Sequence, residues 1–173
     1  MGSGPGGSYS ESSSSWKSQD YAASYSVVST EYDKDIKNSY VYNKNTGYYK
    51  NPTTTNINDA IKNNNVYFEG HKANGKYTYA LKTNGELVFA KRASKDRGKR
   101  SPHPSLIGGK NPTVKMAGMI DIRNGKIYDV NADSGHYRPN IKSLSKVENM
   151  LYNTYGNNIF AKKSRLRRKR NDG

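Results

Sequence analysis

The chain has 173 residues and a formal net charge of +15, and 32% of its residues are hydrophobic. This length allows one ordinary domain with a tail or two, and the low apolar fraction indicates that part of the chain lies outside the core. Such a basic chain attracts nucleic acid, acidic membrane surfaces or acidic proteins, unless the charge serves only solubility. The lack of cysteine excludes disulfides and thiolate metal sites, and no apolar run reaches the roughly 18 residues of a membrane span.

Serine and glycine dominate the start of the chain, and such a composition buries too little apolar surface to offset the entropy of ordering. We therefore expect a flexible leader over residues 1–24, a single α+β domain over 25–160 and a basic tail over 161–173. The tyrosine-rich segment 25–49 predicts one or two peripheral strands.

Two Asn-Gly pairs, each between two apolar runs, predict two tight β-hairpins. Residues 76–82 and 86–91 flank Thr83-Asn84-Gly85, and residues 115–123 and 126–130 flank Asn124-Gly125. Asn-Gly favours the type I′ turn, in which both central residues need a positive φ. The sequence therefore predicts an α+β fold centred on a small antiparallel sheet that is built from these two hairpins.

Two helices are predicted to pack on this sheet. A short N-terminal helix covers residues 56–62 and is capped by Thr55 or Asn56. A C-terminal amphipathic helix runs from 140 to 155 and ends at Gly156, and Ser145 begins a segment with the spacing of a capping box. Its apolar stripe consists of Ile141, Leu144, Val147 and Leu151.

The predicted register of the second hairpin brings two histidines together. A two-residue loop pairs Arg123 with Lys126, and extension of that ladder places Thr113 opposite His136. His103 precedes Thr113 by ten residues across a glycine pair. We therefore expect both imidazoles to face one pocket at the open end of the sheet.

Two convergent histidines can serve as general base and general acid near neutral pH. We predict that His103 and His136 have these roles, that Arg138 stabilises a phosphate or an oxyanion, and that Tyr137 or Ser105 orients the substrate. The alternative is that both histidines only hold turns through hydrogen bonds to the backbone. No third ligand has recognisable spacing, so the sequence predicts neither a metal site nor a cofactor.

Basic residues are concentrated in segments 91–100 and 162–170, which together hold almost half of the lysines and arginines. We predict that these segments bind a phosphate-bearing substrate by counterion release, although the tail alone also fits a nuclear-localisation patch or a solvated terminus. The candidate substrate-binding residues are Lys91, Arg92, Arg97, Lys99, Arg100, Arg165, Arg167 and Arg168.

The order of these motifs resembles a known module. Its matching features are the hairpin 77–91, His103-Pro104-Ser105-Leu106-Ile107-Gly108-Gly109, Ala117-Gly118, Asn124-Gly125 and Ser134-Gly135-His136-Tyr137-Arg138-Pro139. Over residues 77–152 they resemble a module of plant IQ-motif calmodulin-binding proteins and of toxin-like C-terminal domains from bacteria and fungi. The resemblance implies that His103, Ser105, Gly135, His136 and Tyr137 form a shared site.

The chain departs from that module in three respects. Pro104 stands where the module has serine, and Met119 stands where a charged residue is expected. If the charged residue is catalytic in relatives, this chain is altered or inactive. The chain also lacks an IQ motif, so calmodulin binding is not implied.

The sequence favours a delivered effector or toxin domain, secreted or translocated into a target-cell cytoplasm. We expect a monomeric, metal-independent ribonuclease-like enzyme that acts on RNA or another polyanion, with a host protein as a further partner. One alternative is an ADP-ribosyltransferase, since Ser29-Thr30-Glu31 is faintly similar to a strand of that class, although no Glu-x-Glu accompanies it. The other is a non-enzymatic nucleic-acid-binding or packaging protein, in which tyrosines stack on bases.

Overall fold

The computed structural model describes residues 16–91 and 102–169 of the chain. The strands within these ranges are β1 (Tyr42–Asn43), β2 (Gly47–Tyr48), β3 (Thr55–Asn56), β4 (Ile61–Lys62), β5 (Asn65–Phe68), β6 (His71–Lys72), β7 (Gly75–Lys82), β8 (Leu87–Ala90), β9 (Val114–Arg123) and β10 (Lys126–Val130). The helices are α1 (Ser29–Asp35), α2 (Ile57–Ala60) and α3 (Leu144–Tyr155), with 3₁₀ turns at His103–Leu106, Ile141–Ser143 and Asn157–Ile159.

A five-stranded sheet with the order β10–β9–β7–β8–β3 is the centre of the fold, and every pair in it is antiparallel. A three-stranded sheet (β4–β5–β6) and the two-stranded hairpin β1–β2 lie outside it. The predicted α+β class is confirmed, with an antiparallel sheet, a C-terminal helix and a short helix near the N-terminus. No helix among the described residues is long and apolar enough to cross a membrane.

The two faces of the central sheet bury different kinds of side chain. One face carries large residues such as Tyr79, Phe89 and Ile120, which form the main core with Val147 and Leu151 of α3. Each such side chain contributes about 1.5–3 kcal/mol when it is fully buried. The other face is lined by Ala80, Val88, Ala90 and Ala117, and these short side chains let Tyr25, Leu106 and Tyr137 pack directly on the strands.

The register predicted for the second hairpin is correct only near its turn. Lys126 pairs with Arg123, and φ is positive at both Asn124 (50°) and Gly125 (87°), as a type I′ turn requires. A bulge between Ile127 and Asp129 then shifts the pairing, and the ladder ends at Val130. The prediction that Thr113 lies opposite His136 is therefore wrong, because the bulge and the end of β10 come before those positions.

The first hairpin has the predicted loop Thr83-Asn84-Gly85 but not the type I′ dihedral angles that Asn-Gly favours. Leu81 pairs with Leu87, and Gly85 has a positive φ whereas Asn84 does not. This register places Leu87 and Phe89 on the same face as Leu81, where all three belong to the main core. The hydrophobic pattern therefore overrides the local preference of Asn-Gly.

Both predicted helices are present, with differences in detail. Asn56 caps α2 by accepting a hydrogen bond from the amide of Asn58, as expected. α3 begins after a 3₁₀ turn that Asn140 caps, and it ends at Gly156 with a φ of 77°. The predicted capping box is absent, since Ser145 lies inside the first turn of α3 and donates to Lys142 O. Ile141 is exposed and does not join the apolar stripe.

Segment 25–49 contains more than the predicted peripheral strands. β1 and β2 are present, but helix α1 precedes them. Ser29-Thr30-Glu31 forms the first turn of this helix. The strand to which these residues were compared in ADP-ribosyltransferases is therefore not formed here. The sequence of α1 has a single large apolar position, Tyr32, which explains why no helical periodicity is visible there.

Several described residues of the segments predicted as leader and tail contact the domain. Gln19 donates to the carbonyl oxygens of Ser26 and Tyr137, and Lys146 Nζ donates to Ala22 O. At the other end, Ala161 N donates to Ile127 O, and Leu166 is buried in the main core. Residues 1–15 and 170–173 lie outside the described ranges.

Candidate functional site

The segment Ser134–Pro139 lies against helix α1, and His136 makes the central contact. Its Nε2 is 2.9 Å from Asp35 Oδ2, and the hydroxyl of Tyr48 donates to the same oxygen at 2.6 Å. A carboxylate only accepts hydrogen bonds, so Nε2 of His136 carries the proton. The side chains of His136 and Asp35 are only 16% and 12% exposed.

Arg138 makes a second contact with α1. Its Nη2 is 3.2 Å from Glu31 Oε2, and its Nε donates to Gly135 O at 2.8 Å. Arg138 has a φ of 45°, which directs the chain into the turn that brings both side chains to the helix. Lys34 is also 3.7 Å from Glu31. We call Glu31, Asp35, Tyr48, His136 and Arg138 the α1 network.

Tyr137 is buried in the smaller core and makes no hydrogen bond to the α1 network. It is fully buried, its hydroxyl donates to Pro112 O at 2.7 Å, and this burial raises its pKa far above the ordinary range. Burial, followed by the hydrogen bond to Asp35, likewise raises the pKa of Tyr48. Both phenols therefore stay protonated and act as hydrogen-bond donors at neutral pH.

His103 and Ser105 lie in the 3₁₀ turn that packs on the alanine-lined face of the sheet. His103 Nε2 is 2.8 Å from Gly118 O and donates to it, because a carbonyl oxygen only accepts. Ser105 is buried, its amide donates to Pro102 O, and its carbonyl accepts from Asn51 N. The structure thus brings His136 and Arg138 together beside α1, buries Tyr137 and Ser105, and holds His103 against the carbonyl of Gly118 in β9.

The predicted substrate-binding residues divide into two groups. Arg92, Arg97, Lys99 and Arg100 lie outside the described residues, next to the exposed Lys91. The tail arginines make contacts within the domain: Arg165 pairs with Asp129 and Glu148, Arg167 donates to Asn157 O and Phe160 O, and Arg168 lies 4.4 Å from the ring centroid of Tyr152. These contacts fix the segment along β10 and α3.

Two clefts beside α1 were not identified as sites from the sequence. The lysine cleft, of about 300 Å³, is lined by Val27, Ser29, Tyr32, Tyr48, Lys110, Asn111 and Pro112. The tyrosine–lysine groove, of about 650 Å³, is lined by Ile36, Lys37, Ser39, Tyr42, Asn43, Lys44, Asn45 and Tyr49. Neither histidine of the predicted catalytic pair is among these lining residues. The interleaving of tyrosine and lysine over residues 37–49 is a sequence signal for the groove, whereas the lysine of the other cleft, Lys110, lies far outside this segment.

An aromatic wall separates the two clefts. The ring centroids of Tyr32 and Tyr42 are 5.9 Å apart, those of Tyr42 and Tyr48 are 5.1 Å apart, and both pairs meet edge to face. Such aromatic pairs are worth about 0.5–1.5 kcal/mol beyond their buried area. Tyr42 faces the groove, while Tyr32 and Tyr48 line the lysine cleft.

The chain forms a small α+β domain in which α3 packs on the central sheet. His136 is paired with Asp35 of α1, and both clefts lie beside this helix. Residues 57–144 match the family described as the IQ motif-containing protein middle domain, which is just over half of the chain, and the chain belongs to this family. The IQ-motif part of the resemblance is therefore confirmed, whereas its toxin-like part stays a prediction. Comparison with curated proteins finds no match, and comparison with solved structures finds none either.

The family match includes Lys110, Asn111 and Pro112 of the lysine cleft but none of the residues that line the groove. It contains four of the five strands of the central sheet, the turn of His103 and the segment around His136, but β3, α1 and the β1–β2 hairpin precede its first residue, Ile57. The IQ motif itself is absent from this chain, since the single glutamine, Gln19, follows Ser18 instead of isoleucine.

Proposed function

We propose that this domain binds single-stranded nucleic acid, RNA in the first instance, and that the tyrosine–lysine groove is its binding surface. The observation that supports this most directly is the lining of the groove. Lys37 and Lys44 lie beside the exposed Tyr49, Tyr42 is buried in the aromatic wall, and the lining contains no carboxylate. Ammonium groups neutralise phosphates and aromatic rings stack on bases, which is the combination that proteins use for single strands.

The exposure of the aromatic residues supports the same proposal. Among the described residues, five large hydrophobic side chains are exposed, and three belong to this region: Ile36 (37%), Tyr40 (63%) and Tyr49 (46%). Ile36 and Tyr49 line the groove, and Tyr40 lies in the turn that leads to β1. Exposed tyrosines next to lysines offer ring faces to bases, and each stacked base contributes about 1–3 kcal/mol.

The groove is held in shape by hydrogen bonds within the β1–β2 hairpin. Asn43 Oδ1 accepts from the amides of Asn45 and Thr46, and its Nδ2 donates to the hydroxyl of Tyr49. These contacts fix the turn and orient the ring of Tyr49 in the free protein. A preorganised surface loses less conformational entropy when its ligand binds.

The two-histidine enzyme remains a prediction with less support than the binding function. His136 donates to Asp35, and His103 donates to the backbone of β9, so each ring holds a segment in place. A His–Asp pair is also a common catalytic arrangement, and a variant of His136 separates the two roles, as set out in the Discussion. Delivery of the protein as a secreted or translocated toxin also stays a prediction.

Binding of a labelled single-stranded RNA to the full chain tests the proposed function. We expect the double variant Lys37→Gln/Lys44→Gln to bind more weakly, because two phosphate contacts are lost. Tyr49→Ala should weaken binding about 5- to 100-fold through the loss of one stacked base. The matched control is Lys62→Gln/Lys72→Gln, which removes two exposed lysines from the three-stranded sheet.

Three results would count against the proposal. Equal affinity of the groove variant and the control would show that RNA binds elsewhere, for example at residues 91–100. Tighter binding of duplex than of single-stranded RNA would exclude the stacking argument. The third result is that the wild type binds an acidic protein such as calmodulin but not RNA, and that the groove variants lose this protein binding. It would assign the groove to a protein partner.

A further inference from the structure

The lysine cleft lies across the aromatic wall from the groove, and its chemistry differs. Its lining contains one ammonium group, that of Lys110, together with the amide of Asn111 and the hydroxyl of Ser29. The remaining walls are formed by the rings of Tyr32 and Tyr48 and by Val27 and Pro112, and no carboxylate is included.

We infer that the lysine cleft is a binding site for a small ligand that carries both a phosphate and an aromatic heterocycle, the class to which nucleoside phosphates belong. This inference concerns a different site from the groove and does not depend on RNA binding there. Lys110 and Asn111 would contact the phosphate, and Tyr32 would contact the heterocycle.

One wall of the cleft is fixed by the glycine pair that precedes Lys110. Tyr48 N donates to Gly109 O at 2.8 Å, and Gly109 N donates to Tyr48 O at 3.0 Å. The two chains are so close that a Cβ on Gly47 would lie 2.2 Å from the carbonyl carbon of Gly109. Only glycine allows this approach, and it holds Lys110 beside the ring of Tyr48.

The floor of the cleft is fixed by the segment that carries His136. The buried Tyr137 donates to Pro112 O at 2.7 Å, and Val28 N donates to His136 O at 2.8 Å. Val27 and Pro112, on the two sides of the cleft, are therefore held by neighbouring residues of one turn. A cleft that is formed before the ligand arrives needs little ordering when it binds.

Lys110 supplies the positive charge that an anion would meet in the cleft. Of the three acidic side chains of α1, two are paired: Glu31 contacts Arg138 and Lys34, and Asp35 accepts from Tyr48 and His136, while Asp33 is exposed. Lys110 is exposed on the rim. Its ammonium group can therefore approach a phosphate without breaking a contact that holds the fold.

The size of the cleft limits the ligand. A volume of about 300 Å³ lies at the lower end of the range for small-molecule sites. It fits one ring with a short phosphate group, whereas the wider groove fits an extended strand. The partly exposed ring of Tyr32 supplies apolar surface of the kind on which a heterocycle packs, whereas the ring of Tyr48 is buried.

Calorimetric titration of the full chain with ADP, adenosine and inorganic phosphate tests the inference. We expect ADP to bind about ten-fold or more tightly than either adenosine or phosphate alone, because the site contacts both parts. Lys110→Gln should weaken ADP binding about ten-fold or more, and Tyr32→Ala should weaken both ADP and adenosine. Lys62→Gln, an exposed lysine on the three-stranded sheet, is the control and should leave ADP binding unchanged.

Several outcomes would overturn the inference. One is the absence of ADP binding by the wild type. Another is phosphate affinity equal to that of ADP, which would leave an anion site without a ring site. A third is ADP binding that survives Lys110→Gln but is lost in Lys37→Gln/Lys44→Gln, which would move the nucleotide to the groove. RNA binding by the Lys110→Gln variant should equal that of the wild type, since the groove remains intact in that variant. This measurement separates a failure of the inference from a failure of the proposed function.

Discussion

His136 reaches helix α1 from a position 101 residues later in the chain than its partner, Asp35. Asp35 is nearly buried and relies on two donors, His136 and the hydroxyl of Tyr48. A buried carboxylate that loses one of two donors is left with part of its desolvation cost uncompensated. The imidazole therefore has a structural role at this position, whether or not it also has a catalytic one.

The two roles make opposite predictions for His136→Gln. Under the structural role, His136→Ala should lower the free energy of unfolding by about 1.5–3 kcal/mol, since a hydrogen bond to a charged group is lost. His136→Gln keeps an amide donor and should lose about half of that or less. Urea denaturation followed by circular dichroism measures both values.

The same variants test the enzymatic prediction when RNA turnover is measured. If the wild type cleaves RNA and His136→Gln folds normally but is about 10²–10⁴-fold slower, the imidazole is a general acid or base. If turnover is absent in the wild type, or falls only with the folded fraction, the structural role accounts for the histidine.

The buried tyrosines predict loss of stability at alkaline pH. Burial raises the pKa of Tyr137, and burial together with the hydrogen bond to Asp35 raises that of Tyr48. The folded-state pKa values lie above the unfolded value of about 10. The two protonated phenols therefore stabilise the folded state fully below pH 10, and this stabilisation is lost as the pH rises further. We expect part of the phenolate absorbance to appear only together with unfolding. A single reversible titration of all 15 tyrosines in a protein that keeps its near-ultraviolet dichroism would contradict this.

At the scale of secondary-structure elements, the sequence predicts turns and helix caps that depend on neighbouring residues alone. Asn124-Gly125 forms its turn with the expected dihedral angles, and Asn56 caps α2 as expected. The loop at Asn84 differs because the burial of Leu81 and Leu87 together depends on the whole sheet. Helix α1 has no apolar periodicity, and its contacts with residues 136–138 are formed only in the tertiary structure.

The candidate site could be predicted only in part for the same reason. The functional importance of Gly135 to Arg138 stays a prediction, which rests on the two histidines and on the resemblance. Its partners Glu31 and Asp35 are more than a hundred residues away in sequence, and no local signal connects them. The expected pocket of His103 and His136 came from extending a strand register across positions where β10 has a bulge and then ends.

The C-terminal segment gives a prediction for an element. A chain that ends at Ala161 loses Leu166, which is buried in the main core, and the ion pairs of Arg165 with Asp129 and Glu148. We expect a loss of about 2–5 kcal/mol in the free energy of unfolding, of the size seen when a buried leucine is truncated.

A chain that ends at Lys169 is the control for this truncation, since it keeps both Arg165 and Leu166. It should unfold at the same urea concentration as the full chain. Equal stability of the two truncated chains would contradict the packing of residues 161–169 on the domain.

At the scale of the whole molecule, the family residues support the N-terminal segment, which lines all of the groove and part of the lysine cleft. Four of the five strands of the central sheet and the turns of His103 and His136 lie within residues 57–144. They hold α1 and the β1–β2 hairpin through the α1 network and through the pairing of Tyr48 with Gly109. Both proposed ligands would bind beside α1, on opposite sides of the tyrosine wall.

The salt dependence of RNA binding tests the central claim most directly, because it counts phosphate contacts. We expect the slope of log K against log salt concentration to be smaller for Lys37→Gln/Lys44→Gln than for the full chain, by about 0.7 for each lysine that contacts a phosphate of a single strand. The Lys62→Gln/Lys72→Gln control should keep the wild-type slope. A groove variant whose slope equals that of the wild type would contradict the assignment of the groove as the binding surface.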